Sequence, residues 1–153
     1  MRRSDRGIKD FTEITDVLRR ADTIRLCMND TPYPYAVPLS FGFEVMDGVI
    51  TIYFHGAAEG MKHELLAKDN NVCVEADIFH GYARTEKSVT TEYESVIGFG
   101  AAEIVTGDEA VDGMELILEH CGFAGYEYDK NVLKTMKIYK ITLASVTGKR
   151  RFV

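Results

Sequence analysis

Tyr33 to Lys62 reads YPYAVPLSFGFEVMDGVITIYFHGAAEGMK, and this stretch sets the expectation for the fold. Asp47-Gly48 sits between two apolar, β-prone runs, the pattern of a tight hairpin whose central residues take positive φ. It predicts strands over 35–45 and 49–55. Pro38 falls inside the first of them and lacks a ladder donor, which marks an edge, a bulge or a ligand-facing position. The second strand runs into a corner of small residues, Gly56, Ala57 and Ala58, and then a helix over 59–68 with Lys62 near its start.

Outward from this stretch, Asp10 with Glu13 forms a capping box for a helix over 11–21, followed by a strand over 23–28 and a turn at Asn29–Pro32. Further strands are expected over 72–78, 91–105 and 137–147, and residues 79–90 read as a polar, mobile loop. Gly98 and Gly100 allow the 91–105 strand to curve sharply. Thr106 with Glu109 caps a helix that reaches Cys121 and stops at Gly122, before an aromatic loop over 123–131. Val111, Met114, Ile117 and Leu118 form the core stripe of that helix. Six strands with hairpin links and three short helices predict a mainly β domain over 1–153, an antiparallel barrel rather than βαβ units.

The chain has 153 residues, 46% of them hydrophobic, and no apolar run approaches the roughly 20 residues of a membrane-spanning helix. Arg2, Arg3 and Arg6 are not followed by an apolar segment, so no signal peptide is expected. A net charge of −6, from 18 Lys+Arg against 24 Asp+Glu, argues against nucleic acid as a partner. The basic ends, Arg2/Arg3 and Lys149/Arg150/Arg151, read as solvated termini. Cys27, Cys73 and Cys121 are odd in number and widely spaced, without a CxxC pair. Cys27 and Cys73 sit in apolar runs and read as buried free thiols in a reducing, cytoplasmic setting.

The corner from His55 to Lys62 carries the main chemical expectation. Small residues let backbone N–H groups approach an anion, a helix N-terminus favours negative charge, and a lysine adds a point charge suited to a phosphomonoester. The same pattern also occurs as an ordinary turn before a helix. His55 is either a histidine satisfied by neighbouring backbone or a proton-handling group, since its pKa lies near neutrality. Val37-Pro38-Leu39-Ser40 and Ser95-Val96 are candidate ligand-facing strand positions or plain strand. His63-Glu64 lacks the second histidine of a zinc helix motif, and no metal site is expected. No GxSxG elbow, phosphate-binding Walker loop or GxGxxG follows a strand, and His80 and His120 receive no assignment.

The ordered motifs MRRSDR, IRLCMND, YPYAVPLSFGFE, DGVITIYFHGAAEGMK, NNVCVEAD, YESVIGFGAAEIV and ITLASVTGKR run nearly the whole length. In them the chain resembles the pyridoxamine 5′-phosphate oxidase-related family of FMN-binding split barrels, and within it the nitroimidazole-reductase-like (Nim) branch. The resemblance implies a six-stranded antiparallel split β-barrel and a homodimer with FMN in clefts between subunits. It places Val37, Pro38, Leu39 and Ser40 along the flavin ring, and Phe54, His55, Gly56, Ala57 and Lys62 at the ribityl phosphate. Ser95 and Val96 are implied near the cofactor, from the same or the partner subunit, and His55 beside the flavin as the catalytic group. Two positions depart from the family pattern: Gly56 where a serine is common, and Ser40 where an asparagine is frequent.

The activity so implied is oxidoreduction, passing electrons from a donor such as NAD(P)H to a small planar acceptor, nitroaromatic compounds among them. A flavin-binding or redox-sensing module without turnover is the alternative. Another is the same barrel holding a deazaflavin, or haem with His55 or His80 as axial ligand. Oxidation of pyridoxamine phosphate itself fits less well, because the 79–90 segment offers only Arg84 and Lys87 to a second phosphorylated ligand.

Overall fold

In a computed structural model, residues 3–153 are described; Arg2 of the basic N-terminal cluster lies outside them. After a 3-10 turn at Ser4–Arg6, β1 (Gly7–Ile8) leads into α1 (Phe11–Arg20). The Asp10 carboxylate accepts from the Thr12 N–H at 2.8 Å, supplying an acceptor to one of the unpaired N–H donors at the helix start. Ile14, Val17 and Leu18 recur at helical spacing and are buried, so α1 lays one stripe on the barrel.

The strands follow as β2 (Ile24–Met28), β3 (Tyr35–Leu39), β4 (Gly42–Met46) and β5 (Val49–Ala57). After α2 (Met61–Lys68) come β6 (Asn71–Arg84), β7 (Val89–Val105), α3 (Gly107–His120), a 3-10 segment at Lys130–Thr135 and β8 (Met136–Arg151). The β4–β5 turn has Asp47 at φ 51° and Gly48 at φ 76°, the paired left-handed residues that the Asp-Gly signal requires. All ladders are antiparallel, in the order β3-β2-β6-β7-β8-β5-β4, with β1 added on β8.

The two ends of that order, β3 and β4, are consecutive in the chain and separated only by Ser40 and Phe41. The barrel is therefore completed by the covalent chain at this point, not by a ladder, and here it is split. Inside it, Leu18, Ile24, Leu26, Phe41, Ile50, Ile52, Phe54 and Ile141 are fully buried. A smaller cluster of Val105, Ala110, Met114 and Ile138 lies under α3. Among the described residues no helix is long and apolar enough to cross a membrane.

The mainly antiparallel architecture with flanking helices is as expected, but the described residues form eight strands, not six. The expected 35–45 strand is two strands that pair with different neighbours, and Gly7–Ile8 adds a short one. The expected 79–90 loop is instead the far end of the β6–β7 hairpin, paired from Gly81↔Glu92 to Arg84↔Val89 around a bulge after Phe79. Its polar sequence reflects two solvated faces rather than missing structure. Thr106 is the N-cap of α3 as expected, yet its side chain makes no capping hydrogen bond.

Candidate functional site at the β5–α2 corner

β4 stops pairing at Gly42↔Tyr53, whereas β5 continues for four more residues. Phe54, His55, Gly56 and Ala57 pair only with β8, opposite Tyr139, Ile138, Lys137 and Met136. Their other edge carries no strand. Backbone groups along such an edge remain open to side chains or a ligand. One of them is already taken: Lys62 Nζ donates to the His55 carbonyl at 3.1 Å.

Gly60 begins α2 with φ 132°, and no side chain caps the helix. Of the first-turn amides, the His63 N–H already donates to the Gly60 carbonyl at 3.0 Å, while those of Met61 and Lys62 precede the first intrahelical bond, so the corner presents two backbone donors beside a cation. Lys62 Nζ also stands 5.3 Å from the centroid of the Phe54 ring. Among the described residues no carboxylate forms an ion pair with Lys62. Burial of the ammonium holds its pKa below the ordinary lysine value. A half-buried cation without a carboxylate, at an uncapped helix start, has the donor set of an anion site.

Gly56 makes room for this arrangement. A Cβ there would stand 2.5 Å from Lys62 Nζ, 2.8 Å from its Cε and 3.2 Å from His63 Cε1. The space a serine would occupy is filled by the folded lysine. His55 is exposed, yet crowding by the corner disfavours its charged form, and Lys62 adds to this, so its pKa lies below the ordinary histidine value.

Beneath the corner, Phe54 stacks on Tyr139 at 5.0 Å and 4°, and His63 also stacks on Tyr139, at 5.6 Å and 17°. His63 Nδ1 lies 2.8 Å from the Tyr139 hydroxyl, and His63 is only 7% exposed. Sequence reasoning weighed His63 only as half of a zinc motif. Its signal was its place three residues before Leu66 on the buried side of α2, whereas Met61 is exposed.

Burial, then Lys137 and Lys62, lower the His63 pKa below 6.5. In the window between its folded value and 6.5 the unfolded chain therefore binds more protons than the folded one, so stability falls as pH falls through that window. Thermal denaturation from pH 7.5 down to 5.5 should show a declining midpoint, and His63→Gln should flatten that decline. An identical slope in the variant would remove His63 from the account.

The other sequence-derived site residues divide. Val37 and Leu39 turn toward the core, while Pro38 and Ser40 are exposed. β3 pairs on one side only, with β2, so Pro38 occupies an edge strand as its missing donor requires. Ser40, two residues before Gly42, and His55, two after Tyr53, both border the split. Phe54 and Val96 are buried, side chain and backbone alike, at 0% and 2% exposed. Ser95 lies opposite Asp77 and Lys149, whereas the β7 residue in line with His55, through Ile138, is Val105. The two levels are ten positions apart along β7, and one chain does not bring Ser95 to the corner.

An antiparallel split barrel with an anion-suited strand–helix corner defines the class. Residues 10–150 match the family model for pyridoxamine 5′-phosphate oxidase, and the chain belongs to that family. Among solved structures it is similar to a candidate 5-nitroimidazole antibiotic resistance protein from Bacteroides thetaiotaomicron, with 28% identity and TM-score 0.83. That match covers 94% of this chain and 85% of the other. A flavocytochrome from Azotobacter vinelandii shares the fold at 16% identity and TM-score 0.81, over 100% of this chain and 72% of its own. So does an FAD- and haem-binding protein from Mycobacterium smegmatis, at 18% identity and TM-score 0.79, over 97% and 74%. No curated protein matches the chain.

Proposed function

We propose that this chain binds FMN and acts as an oxidoreductase, passing electrons from a reduced donor such as NAD(P)H to a small planar acceptor. The observation that carries the reading is Lys62, a half-buried ammonium with no ion-pair partner among the described residues, set at the uncapped start of α2. Lys62 and the α2 amides hold the phosphate, and Gly56 leaves the space into which the Lys62 side chain folds. The exposed edge at Pro38 and Ser40 lies along the ring. His55 orients the acceptor through a ring N–H hydrogen bond and, from its imidazolium form, passes it a proton and returns to neutral imidazole.

When bound, the flavin supplies the electron-transfer chemistry, and the protein supplies position, electrostatics and exclusion of water. Nitroaromatic compounds are candidate acceptors, in keeping with the B. thetaiotaomicron protein. The separation of Ser95 from the corner within one chain supports a homodimer in which a second subunit completes the cleft. Haem is the weaker alternative: of its two candidate axial ligands, His80 already places Nε2 2.9 Å from Glu94, and His55 is the group assigned here to the acceptor.

The deciding experiment is a visible absorption spectrum of the purified protein, with mass spectrometry of the cofactor released by heat. A flavin spectrum and released FMN are expected. A colourless protein that also fails to take up added FMN would overturn the reading, and released FAD or a haem spectrum would replace its cofactor.

A further inference from the structure

We propose that Cys27 and Cys73 form a cross-strand dithiol that closes to a disulfide under oxidation, tying β2 to β6 on the outer face of the barrel. The two residues are register partners in the antiparallel β2–β6 ladder. Directly opposed residues in such a ladder have Cα atoms about 4.5–5.5 Å apart and project to the same side of the sheet. That spacing lies inside the roughly 4.4–6.8 Å range that a disulfide spans.

The alternation of each strand fixes which side this is. Ile24, Leu26 and Met28 on β2, and Val72, Val74 and Ala76 on β6, are buried. Cys27 and Cys73 therefore face outward, and both are partly exposed. The expectation of buried thiols is corrected here. They line an open groove of about 560 Å³ together with Met28, Pro34, Phe99 and Thr142, wide enough to admit a small oxidant.

The surroundings also set the rate. Arg25 is the nearest cation on this face by register, but its guanidinium is held by Glu75 and Asp77, so it does not favour a thiolate. Burial, then Cys27 and Glu75, push the Cys73 thiol above its ordinary pKa. Closure is accordingly slow at neutral pH and faster as pH rises.

The oxidant is a low-molecular-weight disulfide such as oxidised glutathione. One cysteine thiolate attacks it, breaking its S–S bond and releasing one glutathione thiolate. The second cysteine then displaces the other glutathione. Two protein S–H groups become one S–S bond, the oxidant gains two electrons, and the two protons end on the glutathione thiols. The proposal is independent of cofactor binding.

Reduced, otherwise untreated protein is incubated with oxidised glutathione at mildly alkaline pH, trapped with N-ethylmaleimide and digested without reduction for mass spectrometry. The expected product is a peptide pair linked through Cys27 and Cys73, reversed by dithiothreitol, with exposed Cys121 blocked separately. Cys27→Ser and Cys73→Ser should each leave the remaining thiol as a lasting glutathione adduct. Separate adducts on Cys27 and Cys73 in the natural chain would overturn the proposal. So would a cross-link between two copies, or no reaction at either while Cys121 reacts.

Discussion

Gly42→Ala should destabilise the protein by about 3 kcal/mol or more, at the upper end of what overpacking a core costs. A Cβ at Gly42 would lie 2.3 Å from the Leu116 carbonyl carbon, 2.4 Å from its oxygen and 2.5 Å from the Ile117 nitrogen. All three atoms are α3 backbone, so no side chain can turn aside; the helix itself must lift from β4. Gly113 makes the reciprocal approach, with Tyr53 Cδ1 only 2.7 Å from where its Cβ would stand. For a chain of this length a loss of ~3 kcal/mol corresponds to a fall of roughly 6–12 °C in the unfolding midpoint. Gly98→Ala is the useful contrast, because its Cβ would meet the end of Leu143 at 2.7 Å, a side chain able to adjust. It should cost clearly less. A Gly42→Ala midpoint close to that of the natural chain would mean that α3 does not rest on β4 this closely. The consequence reaches the site, since Gly42 also opens β4 at the split bordered by Ser40 and His55.

That same glycine shows why part of the fold was legible and part was not. The Asp47-Gly48 hairpin and the Asp10 cap are local devices, and each did locally what its residue types dictate. Pro38 was readable as an edge residue because a missing donor is tolerated only there. The break at Ser40 and Phe41 was not readable. Val37, Leu39 and Phe41 keep an inward alternation through it, and what separates β3 from β4 is the barrel's curvature and the seat of α3, both set by distant sequence. The hairpin tip past Phe79 failed for the opposite reason: strand periodicity signals one buried face, and this ribbon has none. It is held by its ladder and by the edge contact of Phe79 with Tyr82 at 5.2 Å.

At the site, small residues and Lys62 marked the corner, but nothing in the sequence tells that Lys62 folds into the space left by Gly56. Cys27 and Cys73 were misjudged although alternation with Leu26 and Val74 already set their side of the sheet. Their opposition across the ladder is a matter of register between segments far apart in sequence, which no local pattern reports.

Replacing Lys62 by alanine is expected to weaken FMN binding about 10- to 100-fold while leaving the cofactor-free fold as stable as before or slightly more so. The first part follows from the loss of a charge-assisted hydrogen bond, worth roughly 1.5–3 kcal/mol, with each ~1.4 kcal/mol a factor of ten. The second follows from the environment of the ammonium. It is half-buried, its pKa is lowered by that burial, and its contacts within the chain are the His55 carbonyl and the Phe54 ring. A desolvated charge so weakly compensated contributes little to folding, and its removal relieves the desolvation cost. Salt gives an independent reading, because screening acts on the lysine–phosphate attraction: rising ionic strength should weaken FMN binding to the natural chain more than to the variant. Fluorescence titration with FMN at two salt concentrations, alongside thermal denaturation of both cofactor-free proteins, separates these effects. Equal affinities with equal salt dependence would remove Lys62 from the phosphate site. A variant that binds weakly and also unfolds early would instead make the lysine a structural element of the corner, with its hydrogen bond to the His55 carbonyl as the contact that mattered.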